Sequence, residues 1–248
     1  MKHTSAIRLA AVLMLFECSS AHADVVANQA ELMMLPPYCK GTHQIREVSH
    51  DTVTIGQYEA IYGQSFMHLH HYCWALNAEN KANSIFNKRD HDIKLYSALN
   101  DIKYVLTNAS PDFVLLPDIY NSQARMLFEL HRDGEAVLSL EKAIELKPGF
   151  VPAVARLSDY FVSIGDREKA IQTLKNGIDN TQNADFLIGK LSKLGVTYQG
   201  TPGSAIKKDD RAVTPVANEA VPEASAPAAS SVPATSPPAN NPYCRFCP

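Results

Sequence analysis

The chain lacks a strong charge of either sign. Its 23 Lys and Arg stand against 26 Asp and Glu, a formal charge of −3 over 248 residues. A nucleic-acid surface calls for a basic face, so nucleic acid is set aside as a partner. No segment reaches the ~18 consecutive apolar residues of a spanning helix, so no transmembrane span is expected in the mature chain. The G-x-S-x-G elbow, the phosphate-binding glycine loop and H-E-x-x-H are missing. Acids and histidines occur, but in no catalytic constellation. The expectation is a non-enzyme with no cofactor, with a site in the loop 38–63 as the alternative.

What is present begins with the two ends. Lys2 and Arg8 precede the apolar run 9–16, and Ala21-His22-Ala23 offers a small-x-small cleavage site. That pattern predicts a signal peptide over 1–23 and a periplasmic or secreted protein. A lipoprotein reading through Cys18 meets the charged Glu17 where a small residue is wanted. Loss of Lys2, Arg8 and Glu17 would take the formal charge from −3 to −4. At the other end, Ala, Pro and Ser dominate residues 213–238. The tail 195–248 is therefore expected to be disordered, ending in the C-x-x-C of Cys244 and Cys247.

Export changes how cysteines are read. Cys39, Cys73, Cys244 and Cys247 would remain, and four cysteines allow three connectivities. The pairing Cys39–Cys73 with Cys244–Cys247 is preferred, because the second pair is close in sequence and far from the rest. A Cys39–Cys73 bridge closes a loop of about 35 residues and contributes ~3–4 kcal/mol in the chain-entropy picture. A competing reading rests on the run from Met67 to Trp74. On a helix, His68 and His71 are three apart, as are His70 and Cys73, and either pair could chelate a transition metal. Cys39 and His43 could complete four ligands. A disulfide-stapled helix with surface histidines is the other outcome.

The chain between the ends divides in two. Residues 24–64 read as an N-terminal extension, mostly loop. Helix-compatible composition up to Met34 stops at Pro36-Pro37, and a short helix lies around 57–62. From Ser65, a plausible N-cap, Phe66, Leu69, Cys73 and Leu76 make one apolar stripe to about residue 86. A second helix starts at Asp90 or Asp92, with Ile93, Tyr96, Leu99, Ile102, Val105 and Leu106 as its stripe. Together they look like a degenerate repeat over 65–110. Two clear repeats follow, 117–148 and 151–182. Ala136 and Ala170 are 34 residues apart, as are Leu140 and Leu174, Ala124 and Ser158, and Leu127 and Phe161. Each repeat has a first helix (117–131, 151–164), a tight turn at Asp133-Gly134 or Gly165-Asp166, and a second helix (135–146, 167–180). Residues 184–194 form a capping helix.

The period and its residues resemble the tetratricopeptide repeat family. Tyr120, Ala124, Leu127, Ala136, Leu140, Ala143 and Pro148 carry the likeness in one repeat. Val154, Leu157, Ser158, Phe161, Gly165, Ala170, Leu174 and Ile178 carry it in the other, with Gly177 standing where Ala is usual. The resemblance implies an all-α, right-handed helical solenoid of about three helix pairs plus a cap, spanning 65–194. It implies a concave face, lined by first helices, that binds a peptide or partner helix. The corresponding positions are Asp118, Asn121, Arg125, Phe128 and Glu129, then Ala155, Asp159 and Val162. Asn121 and Arg125 share a helical face and could hold a peptide backbone or carboxylate. The expected function is an exported interaction scaffold or assembly factor, in an envelope complex for instance. The alternative is a metal- or haem-handling accessory protein using His68, His70, His71 and Cys73.

Overall fold

A computed structural model describes residues 25–206. The signal-peptide reading, the tail beyond residue 206 and the Cys244–Cys247 pair lie outside them. Residues 195–206, expected to belong to the disordered tail, are instead held to the helical domain, Gly203 N–H bonding to Ile178 O and Ala205 N–H to Asp179 O. The described residues hold ten α-helices and no strand, all within one compact unit. Three short helices come first: α1 (Gln29–Met33), α2 (Arg46–Ser49) and α3 (Ile55–Tyr62). Then come α4 (Leu69–Ala82), α5 (Lys88–Asn108), α6 (Leu116–Glu129), α7 (Asp133–Leu146), α8 (Val151–Ser163), α9 (Arg167–Asp179) and α10 (Asp185–Lys193). Neighbours pack in pairs, α4 with α5, α6 with α7 and α8 with α9, while α10 covers α8 and α9.

The extension corrects the expectation of a mostly looped 24–64. Besides its three helices it holds 3-10 turns at Pro37–Gly41 and, just beyond, Gln64–His68. Helices α1 and α3 fall where helix was expected; α2 and the turn at Pro37–Gly41 were not foreseen, because pieces of four or five residues are too short to show a sustained period. Asn28 caps α1 by accepting from the Glu31 N–H. Thr54 and Gln57 form a reciprocal capping box on α3. The rings of Tyr58, Tyr62 and Phe66 stack with centroids 4.9 to 6.4 Å apart. Gly41 lies flat against Tyr58: a Cβ there would fall 2.0 Å from a ring carbon. The Cys39–Cys73 disulfide fastens this extension to α4, with the Cα atoms 5.8 Å apart.

α4 starts at Leu69, later than the predicted Ser65. Ser65 instead accepts a 2.8 Å hydrogen bond from the Ser110 backbone N–H, tying the approach to α4 to the end of α5. Every residue from Leu69 to Glu79 is buried, so α4 is enclosed on all sides and is the central helix. α5 starts at Lys88, because Asn87 accepts from the N–H groups of Arg89 and Asp90. Its buried stripe is Leu95, Ala98, Leu99, Ile102 and Val105. Ile93 and Tyr96, expected on that stripe, face outward instead.

In the two clear repeats, three of the four residue pairs spaced by 34 are buried on both sides, while in the fourth Leu127 is buried and Phe161 only half-buried. Ala124, Ala136, Leu140, Ser158, Ala170 and Leu174 are all buried. Small residues let paired helices approach: Ser158 Oγ donates to the Ala170 carbonyl at 3.3 Å. At Gly177 a Cβ would stand 2.5 Å from Val154 Cγ1, so α8 and α9 cross too closely for the usual Ala. Val154, Leu174, Ile178, Leu187 and Leu191 form one cluster that α10 closes.

The first turn sits elsewhere than expected. His131, not Asp133-Gly134, takes the left-handed conformation (φ 57°), and Gly165 takes it in the second repeat (φ 81°). His131 N–H bonds to Phe128 O and Arg132 N–H to Leu127 O; Gly165 and Asp166 repeat this with Val162 O and Phe161 O. Both first helices thus end in the same Schellman motif, 34 residues apart. Gly134 lies inside the first turn of α7.

Candidate functional site

The first helix of each pair contributes to a chain of polar contacts. Arg125 on α6 donates through Nε and Nη2 to the two carboxylate oxygens of Glu79 on α4. Arg156 on α8 donates to Asn121 Oδ1 on α6 at 2.7 Å. Lys190 on α10 donates to Asp159 Oδ1 on α8 at 2.5 Å. The ladder therefore runs α4, α6, α8, α10 without entering a second helix. Beside it the rings of Phe128 and Tyr160 meet at 5.4 Å. Glu129 lies 3.6 Å from His91 Nε2 on α5.

The electrostatics follow from how deeply the ladder sits. The hydrogen bonds to Glu79 raise the Arg125 pKa above its ordinary value. Burial, then repulsion by Arg125, lowers that of Arg156. Burial raises Glu129, helped by the charge of Glu79. Burial also raises Asp118, against the pull of Lys147. Asp118, Asn121 and Arg125 line a hollow of about 280 Å³ whose far wall is Met34, Pro36 and Tyr38 from the extension. Tyr72 stands in it, its hydroxyl 2.8 Å from Ser122 Oγ. A larger open hollow of about 480 Å³ lies between α7, α8 and α9, among Glu141, Ile144, Pro148 and Thr173, away from every predicted groove residue.

Of the eight groove residues expected from the sequence, Asn121, Arg125 and Asp159 are in this ladder, Phe128 and Glu129 lie beside it, Asp118 shares the hollow with Asn121 and Arg125, and Val162 is exposed on α8. Ala155, the last of them, is 6% exposed and belongs to the core under α10. Asn121 and Arg125 do share a face, but both are already engaged. Glu79, Arg156, Tyr160 and Lys190 were missed. Their partners lie 31 to 46 residues away, and no local spacing announces such pairs.

The histidine segment is arranged differently from its reading. Cys73 is in the disulfide, so it is no thiolate ligand. His70 and His71 are buried rather than on the surface. His70 Nδ1 donates to the Met67 carbonyl at 2.9 Å, and His71 Nδ1 donates to Asp101 Oδ1 at 2.7 Å. The rings of His70, His71 and Trp74 lie 4.5 to 4.9 Å from one another. Burial, then the neighbouring His71, depresses the His70 pKa to about 3. Burial also lowers His68, which is half-buried beside Tyr104. Among the described residues no three His, Cys, Asp or Glu side chains are already gathered as a metal would need. The set His68, His70, His71 and Cys73 is therefore not assembled.

No protein-family model matches the chain, and no curated protein or solved structure matches it.

Proposed function

We propose that the chain is an exported interaction scaffold of the tetratricopeptide type, which receives an extended peptide or a partner helix on the face formed by α4, α6, α8 and α10. The observation that carries this reading is the polar ladder. It links the first helix of every pair, which is the set of helices that lines the binding face in that family. Its side chains are already fixed by one another, so less rotamer freedom is lost when a partner docks. Val162 and Phe186, both exposed on α8 and α10, supply apolar area on the same helices. The signal-peptide pattern over residues 1–23 supports a periplasmic or secreted setting for this work.

Affinity capture from an envelope extract tests it, with wild type beside Val162→Asp and Phe186→Asp. Both sites are exposed, so the fold should survive. The expected result is a captured protein that both variants lose, with direct binding then shown by titration of the purified pair. Retention of every captured protein by both variants rejects the reading.

A further inference from the structure

Among the described residues, three buried side-chain polar atoms lack a hydrogen-bond partner: His70 Nε2, His71 Nε2 and Trp74 Nε1. They belong to three rings in mutual contact. An unsatisfied buried polar atom costs about 1–3 kcal/mol, so three at one place call for a guest.

The chemistry of that guest follows from the other ring nitrogens. A carbonyl and a carboxylate can only accept, so both Nδ1 atoms carry the proton and the Nε2 atoms are left for a guest. An imidazole oriented through Nδ1 by a carboxylate or a carbonyl is the usual support of a metal ligand. We infer that His70 and His71 bind one divalent transition-metal ion of the zinc or copper class through Nε2, and that His43 completes the site. The inference is independent of the partner-binding face.

Spacing supports it. Metal–nitrogen distances of about 2.0 Å place two bound imidazole centroids roughly 4.5–5 Å apart for angles between 90° and tetrahedral. The His70 and His71 centroids are 4.5 Å apart. The His43 ring is 6.5 Å from that of His70 and exposed, so it must close by about 1.5 Å to bind. The disulfide holds it in reach: His43 follows Cys39 by four residues, and His70 precedes Cys73 by three. Asp101 sets a negative charge behind His71. Trp74 Nε1–H, which cannot ligate, would donate to a water or hydroxide on the metal's remaining position.

A lone buried water is the competitor, since it could donate to both Nε2 atoms and accept from Trp74. The experiment separates the two. The mature chain, with its disulfide intact and stripped by chelator, is titrated calorimetrically with Zn²⁺ and separately with Cu²⁺. Expected is one equivalent bound, weakened about tenfold or more by His43→Ala and unchanged by His50→Asn, asparagine being tolerated in the left-handed conformation of that position. Both replaced residues are exposed, so the metal-free melting temperature should not move. Three results overturn the inference: no saturable binding, equal affinity in wild type and His43→Ala, or a metal-soaked crystal showing only water at the rings.

Discussion

Glu79 keeps about 5% of its side chain exposed, with the Arg125 guanidinium against it. Arg125→Ala leaves a buried carboxylate without its main partner and should cost about 3 kcal/mol. Replacing both by Gln and Met should cost clearly less, because no buried charge remains. Urea unfolding of the single and double variants checks this; equal losses would refute it. Asp118 gives a prediction with a pH sign. Its folded pKa is raised, so the unfolded chain ionises first as pH rises. The wild type therefore loses stability through that window and carries the full deficit above it. Asp118→Asn should be the more stable protein at pH 7, with the gap closing as pH falls toward 4. The placement of Asn121 and Arg125 on one face was legible, since it needs only the helical period. The partners that occupy them were not, since Arg125 was expected to pair, if at all, with Glu129 or Asp159, whereas Glu79 and Arg156 come from other helix pairs.

Helices α6 to α9 were readable because repeat spacing and apolar period agree there, and each helix is long enough to show both. The turn between α6 and α7 was not. Asp133-Gly134 has turn chemistry, yet the left-handed residue is the one before Arg132. Backbone hydrogen bonding chose it, not side-chain preference. His131→Gly should therefore stabilise the protein by up to ~1 kcal/mol, since glycine takes that conformation without steric cost. Two further glycines should answer oppositely to alanine. Gly189 on α10 has open space around it, so Gly189→Ala should gain ~0.5–1 kcal/mol from helix propensity. Gly177→Ala drives a methyl into Val154 and Leu187, and should lose ~1–3 kcal/mol despite the same propensity gain. Thermal melts of the three variants rank these effects.

At the scale of the molecule, the cysteine reading carried furthest. An even count and the expectation of export pointed to Cys39–Cys73, and the structure has that bond. What the sequence did not convey is how much hangs on it. The bridge draws a helical extension over α4 and so makes α4 the centre of the protein rather than the edge of a repeat array. The stripe pattern hid this, since it marked one face of α4 and left His70, His71 and Glu79 for solvent. Replacing both cysteines by Ser should lower unfolding free energy by ~3–4 kcal/mol, and adding reductant to the wild type should do the same. Denaturant titration with and without reductant checks both. A smaller loss would mean the aromatic stack holds the extension by itself.

That bond also decides how the protein would bear a load. A pull on the amino terminus strips α1 and the residues up to Cys39, and then reaches sulfur. From there tension crosses directly to Cys73 and into the middle of the molecule, while the chain between them, a sequence separation of 34, carries none. Roughly 110–120 Å of contour length is thus withheld from extension while the bridge is intact. In a single-molecule stretching trace it should appear only after reduction, as one step of that size.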